Sequence, residues 1–161
     1  MLTWDDLCND KRFADLPYKI ELNGRGQILM SPTSNYHGHH AARIAMLLDG
    51  LLPKGEIISE CAVQTADGVR EADTVWCSPE RWEIIKDETA SSVAPEICVE
   101  VISRSNTAAE MMAKRALYIA AGANEYWLCN REGEMRFFNG TRELEQSVMC
   151  PAFPRMLPKR G

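Results

Sequence analysis

The tightest constraint this chain places on its own fold is a strand-like segment with an ionisable group at its centre. In "EICVEVISRSNT", residues 96–107, Ile97, Cys98, Val99, Val101 and Ile102 make an apolar run suited to a central strand, and Glu100 stands inside it. Removing a carboxylate from water costs several kcal/mol, comparable to the net stability of a small domain. A fold that buries this strand must therefore bring a cation or a set of donors to Glu100.

The surrounding sequence supplies the elements of such a fold. "LTWDDLCNDKRFADL" predicts one or two short acidic helices, and "YKIELNGRGQILMSPTS" predicts a hairpin turning at Asn23-Gly24. "HGHHAARIAMLLDGLL" sets Ile44, Leu47, Leu48 and Leu51 at helical spacing and ends near Gly50 and Pro53. Strands are expected at 56–64, 69–77 and 96–103, the first two joined as an antiparallel pair by the turn sequence "TADG". Thr107 and Glu110 stand in capping-box spacing and Gly122 closes the segment, which predicts a helix of about four turns. "EYWLCN" then reads as a strand and "EMRFFNGTREL" as a hairpin around Asn139-Gly140. Strands interrupted by two helices predict a mixed-sheet α/β or α+β fold, and 161 residues, 45% of them hydrophobic, suffice for one domain spanning 1–161.

Composition narrows the function classes. No apolar run reaches the roughly 20 residues of a membrane span, and the acidic N-terminus lacks the pattern of a signal peptide, so a cytoplasmic protein is expected. The cysteines Cys8, Cys61, Cys77, Cys98, Cys129 and Cys150 include no CxxC pair and read as reduced, mostly buried thiols. A formal net charge of −5 argues mildly against nucleic acid as a partner. Basic pairs such as Lys11-Arg12, Lys114-Arg115 and Lys159-Arg160 are scattered along the chain.

Strand alternation places Cys98, Glu100 and Ile102 on one face, and Asp73 on a face with Val75 and Cys77. If those faces meet, two carboxylates lie close together in a dry setting, and a cation between them is the economical solution. Mg2+ takes one or two carboxylates plus waters or phosphates as ligands, so Asp73 and Glu100 are candidate metal ligands. Lys114, with Leu117 and Tyr118 three and four positions on, flanks an apolar stripe that can face the sheet.

Taken with "IELNGRGQILMSPTSNYHG", "VREADTVWC" and "APEICVEVISRSNTAAEMMAKRALYIAAGANEYWLCN", these residues resemble the bacterial Uma-two family of restriction-endonuclease-like proteins, within the PD-(D/E)xK nuclease superfamily. The resemblance runs from about Tyr18 to "SVMCPAFPRML". It implies a restriction-endonuclease-like mixed sheet flanked by helices, with additional β-hairpins. It further implies Mg2+-dependent (or Mn2+-dependent) hydrolysis of DNA phosphodiesters, with Asp73 and Glu100 as metal ligands and the Val101 carbonyl available to the ion. The lysine that usually stands two residues after the glutamate is Ile102 here, and Lys114 matches the family's migrated lysine. Glu21 matches a further acidic residue, and His37 a position that borders the pocket. Ala72 replaces the usual proline before the aspartate. A homodimer is also implied by the resemblance.

Other readings of the same residues stand beside these. Glu100 and Lys114 alternatively form a structural ion pair, or Lys114 pairs with Glu110 one turn earlier. Glu96, after Pro95, reads as a solvated strand-end residue. The "HGHH" histidines lack a carboxylate or cysteine at helical spacing and read as surface or N-terminal helix histidines rather than ligands. Tyr126 and Trp127 read as core aromatics rather than base-stacking ones. At the level of function, the rivals are a catalytically inactive binding module with the nuclease fold and a hydrolase of a small phosphorylated metabolite.

Overall fold

The structure, a computed structural model, describes residues 1–140 and 142–160. Its elements in chain order are α1 (Trp4–Asn9), a 3-10 turn (Lys11–Phe13), β1 (Tyr18–Leu22), β2 (Ile28–Pro32), α2 (Asn35–Leu51), β3 (Glu56–Thr65) and β4 (Gly68–Cys77). There follow α3 (Pro79–Ile85), β5 (Ile97–Val101), α4 (Ala108–Ala120), β6 (Glu125–Cys129), β7 (Met135–Phe138) and β8 (Glu143–Leu144). All eight strands join one mixed sheet in the order β2-β1-β4-β5-β6-β7-β8, with β3 paired along β4. The expected hairpins are present: Leu22 pairs with Ile28, Thr65 with Gly68, and Phe138 with Glu143 across a turn whose Thr141 lies outside the described residues. The helix α3, capped by Ser78 and opened by Pro79, is an addition to the sequence-based expectation.

β4 is the strand that shapes the site. One of its edges is zipped to β3 from Glu56↔Cys77 to Thr65↔Gly68. The other edge is divided: β1 touches it at Leu22↔Val69, and β5 pairs with it at Thr74, Val75 and Trp76. Between these contacts, residues 70–73 have no ladder partner on that edge among the described residues, and the sheet forks. Gly68 fixes the geometry at the base of the fork. It has φ +78, and a Cβ there would run into the Leu22 carbonyl, so only glycine lets β1 approach so closely.

Two helices cover the two faces. α2 is capped by the Ser34 hydroxyl, which accepts from the His37 N–H, and lays Ile44 and Leu48 on Ile97, Val99, Val101, Trp127 and Phe137. α4 starts at a complete capping box of Thr107 and Glu110, and puts Met111 and Tyr118 against Cys98, Val75, Tyr126 and Phe138 on the opposite face. β5 thus alternates as expected, with Ile97, Val99 and Val101 toward α2 and Cys98 toward α4. Tyr126 and Trp127 are fully buried core aromatics. The six cysteines are all unpaired, and only Cys8 is exposed. Among the described residues no helix is long and apolar enough to cross a membrane.

Candidate active site

The fork in the sheet is filled by charged side chains from five elements. β1 contributes Lys19 and Glu21, which its two-residue period puts on one side of the strand. β4 contributes Asp73, β5 Glu100, α4 Lys114 and Tyr118, and α2 His37. Lys114 reaches the sheet because it stands between Met111 and Tyr118, the two buried residues of α4, on the same helical stripe.

Lys19 is the hub. Its Nζ lies 3.0 Å from Asp73 Oδ1 and 2.9 Å from Glu100 Oε2, with Glu21 Oε1 at 4.0 Å. Lys114 Nζ donates to Glu21 Oε1 at 2.7 Å and to Glu100 Oε1 at 3.3 Å. The Tyr118 hydroxyl donates to Glu100 Oε1 at 2.8 Å, and His37 Nε2 sits 3.1 Å from Asp73 Oδ2. The remaining contacts tie the cluster to the fork itself: the Val101 N–H donates to Asp73 Oδ2 at 2.7 Å, and the Glu71 N–H to Glu21 Oε1 at 2.9 Å. Where the ladder is interrupted, carboxylates take the place of strand carbonyls and satisfy the backbone donors.

Burial makes these contacts strong. Glu100 is 1% exposed and Asp73 3%. Burial pushes the Glu100 carboxyl up to about 7, against the pull of Lys114 and Lys19 and with the push of Asp73 and Glu21. Burial acts on Asp73 in the same direction, but there Lys19, His37 and the Val101 N–H together outweigh it and hold the carboxyl below its ordinary value. Lys19 shows the converse: burial would lower it, and Glu100, Asp73 and Glu21 raise it well above its ordinary value. Two carboxyls with opposed shifts share one ammonium, a pattern typical of sites that handle protons or cations. Lys19, Glu21, His37, Glu100 and Lys114 line a cleft of about 540 Å3, which also takes in Thr33, Ser103 and Asn106, while Asp73 lines a smaller cavity of about 180 Å3 that shares Thr33 and His37 with it.

The residues singled out from the sequence, Glu21, Asp73, Glu100 and Lys114, are therefore brought together. Two readings need correction. Lys114 pairs with Glu21 and Glu100 and not with Glu110, whose carboxylate caps the Thr107 N–H. Glu96 is no solvated end residue: it is buried and accepts from the Ser78 N–H at 3.0 Å and hydroxyl at 2.5 Å, fastening α3 to β5. The sequence reading missed Lys19. The available signal was its position two residues before Glu21, which puts both on one side of β1.

The donor chemistry fits a hard divalent ion, since Asp73 Oδ1 and Glu100 Oε2 face a common point and Glu21 stands close by. That point is held by the Lys19 ammonium. Among the described residues no three His, Cys, Asp or Glu side chains form a ready ligand group. A metal bound here would be held by Asp73 and Glu100 in exchange for Lys19.

Comparison with known proteins agrees with the fold. A family model described as "Putative restriction endonuclease", Uma2, matches residues 10–147, and the chain belongs to that family. Among solved structures, a "putative nuclease belonging to DUF820" from Anabaena variabilis is similar over 89% of this chain and 82% of its own, with a TM-score of 0.67 at 14% identity. That similarity establishes the mixed α/β fold. No curated protein matches the sequence.

Proposed function

We infer that the chain is a divalent-metal-dependent hydrolase of nucleic-acid phosphodiesters. The observation that carries this reading is the convergence of Glu21, Asp73, Glu100 and Lys114, from four separate elements, on one hydrogen-bonded network whose Glu21, Glu100 and Lys114 line an open cleft at the sheet fork. A structural ion pair needs neither a cleft nor three carboxylates.

The roles follow from the contacts. Asp73 and Glu100 would hold Mg2+ or Mn2+, which when bound supplies a water of lowered pKa and polarises the phosphate. His37 and the Val101 N–H fix Asp73, and Tyr118 fixes Glu100, so both carboxylates are held in place before any substrate arrives. Lys114, hydrogen-bonded to Glu21, offers N–H donors to the charge that builds on the phosphate. Glu21 Oε1, hydrogen-bonded to both Lys114 and the Glu71 N–H, is placed to orient the attacking water.

A second reading is favoured by one specific contact. Lys19 bridges the two carboxylates, so the network is already compensated without metal, as expected of an inactive module with the nuclease fold. Thermal unfolding with Mg2+ and Mn2+ separates the two. A rise in melting temperature for the wild type that is absent in Asp73→Ala and Glu100→Ala is expected, together with Mn2+-dependent cutting of supercoiled, linear or single-stranded DNA that both variants lose. Equal melting temperatures with and without metal, and intact DNA, would leave the binding module as the better account.

A further inference from the structure

The positive charge that is scattered along the sequence is gathered by the fold at a second place. A cavity of about 700 Å3 opens between the first half of α2, the turn joining β6 to β7, and the C-terminal segment. Arg43, Arg131, Lys159 and Arg160 line it, opposed by the single carboxylate of Glu132, in a chain whose net charge is −5. The side chains of Arg131, Lys159 and Arg160 make no hydrogen bond or ion pair with the described residues.

Its walls are fastened to one another. Arg43 Nη2 donates to the Pro158 carbonyl at 3.0 Å, tying the C-terminal segment to α2, and His40 Nε2 lies 2.8 Å from the Arg131 carbonyl, tying down the turn. His40 is 7% exposed, and its Nδ1 is a buried polar atom with no partner. Tyr36, His40 and Arg43 follow one another at four and three residues, so a single face of α2 carries them, and Tyr36 stands 65% exposed at the rim. Four cations around one cavity repel each other unless an anion joins them. Cationic side chains beside an exposed aromatic ring are what a nucleotide strand uses, phosphates on the charges and a base on the ring. The volume is also within the range of ligand pockets, roughly 300–1,000 Å3. His37, next to Tyr36 on the same helix, touches Asp73, so this cavity and the carboxylate cluster flank one helix end.

We propose that this cavity seats backbone phosphates of a nucleic-acid strand, at a site separate from the carboxylate cluster. The choice of nucleic acid rests on the hydrolase reading of the cleft, but binding here requires no cleavage. The site supplies the attraction that the overall acidic balance withholds, and a strand held here is led past the N-terminus of α2 toward Asp73 and Glu100.

The test is fluorescence anisotropy of a labelled single-stranded oligonucleotide in EDTA, comparing wild type with K159E/R160E, Arg131→Glu and Tyr36→Ala. The control K11E/R12E makes the same charge change elsewhere. The pocket double variant is expected to weaken binding by about 30-fold and to flatten the slope of log K against log salt by roughly 1.4, the share of two phosphates on a single strand. The control should leave the slope unchanged, and all variants should keep the wild-type melting temperature, since the altered side chains are exposed. Equal losses in pocket and control variants, or no oligonucleotide binding by wild type, would overturn the proposal. So would displacement of the oligonucleotide by equimolar inorganic phosphate, which would assign the cavity to a small anion. Pocket-dependent binding by a protein that cuts no DNA would defeat the hydrolase reading and leave this site standing.

Discussion

Glu100 and Glu125 occupy neighbouring strands, are 1% and 2% exposed, and are met by entirely different partners. Glu125 is held by neutral donors: Trp127 Nε1 at 2.7 Å, the Ser147 hydroxyl at 2.6 Å, and the N–H groups of Val148 and Met149 at 2.8 and 2.9 Å. Glu100 is held by two ammoniums and a phenol. The first set belongs to the framework, with the carboxylate acting as a clamp on the segment at 147–149. The two ammoniums of the second set are on long side chains that border a cleft and can exchange for another cation. A carboxylate in an apolar strand therefore signals only that compensation exists; the kind of compensation separates a clamp from a site.

The comparison is broken most directly at Glu125. Glu125→Ala strands four donors and frees the segment they hold, and a loss of about 3–5 kcal/mol in stability is expected by urea unfolding. Glu100→Gln keeps an oxygen for Tyr118 and leaves Lys19 with Asp73 and Lys114 with Glu21, so a loss below about 1.5 kcal/mol is expected. If the two substitutions cost the same, the distinction between clamp and site has no energetic content.

Much of this architecture was legible in the sequence, for local reasons. The Thr107–Glu110 capping box, the turns at Asn23-Gly24 and "TADG", and the strand periods each depend on residues a few positions apart. The convergence of Asp73, Glu100 and Lys114 followed from strand alternation and from the family resemblance. What could not be read is what depends on strand order. The fork exists because β4 shares one edge between β1 and β5, and nothing near residue 70 announces it. Lys19 in a half-apolar strand looks like any solvated lysine until the fork places two carboxylates over it. Arg43, Arg131, Lys159 and Arg160 looked scattered because they are scattered in sequence, and only the packing of the C-terminal segment on α2 brings them to one cavity. Ser78-Pro79, by contrast, was a local helix-start signal for α3. Glu125 was passed over for another reason: three of its four donors lie 22 to 24 residues further along the chain, and only Trp127 stands near it.

Lys19 sharpens the comparison at the next level of effect. If it is a resident cation that yields to metal, Lys19→Met leaves Asp73 and Glu100 facing each other without their shared partner. The metal-free protein should then unfold more easily, and Mn2+ should bind about tenfold more tightly by calorimetry, a gain of about 1.4 kcal/mol. Weaker Mn2+ binding in the variant would mean that Lys19 belongs to the loaded site and supports the ion rather than competing with it. Glu125 offers no equivalent experiment, because its donors are backbone and fixed side chains with no charge to remove.

The smallest expected effect is a graded one with pH. The Glu100 carboxyl stands at about 7 in the folded protein against an ordinary 4.5, because burial favours its neutral form. Folding therefore favours the protonated state, so this contribution to stability is complete below about 4.5 and is lost as the pH rises through about 7. Glu71, raised by burial to about 8, has the same sign and extends the window upward. Asp73 runs the other way: its lowered value stabilises the fold above the ordinary carboxylate range and is lost only in stronger acid. The metal-free protein is thus expected to melt at a higher temperature near pH 5 than near pH 8. Metal reverses the trend, because an ion on Glu100 must displace a proton below about 7; Mn2+ affinity should climb by up to tenfold per pH unit to that point and then level off. Glu100→Gln should flatten the lower part of the metal-free profile while Glu71→Gln flattens the upper part. A wild-type melting profile that Glu100→Gln leaves unchanged would place the titrating charge elsewhere and reduce Glu100 to a second clamp like Glu125.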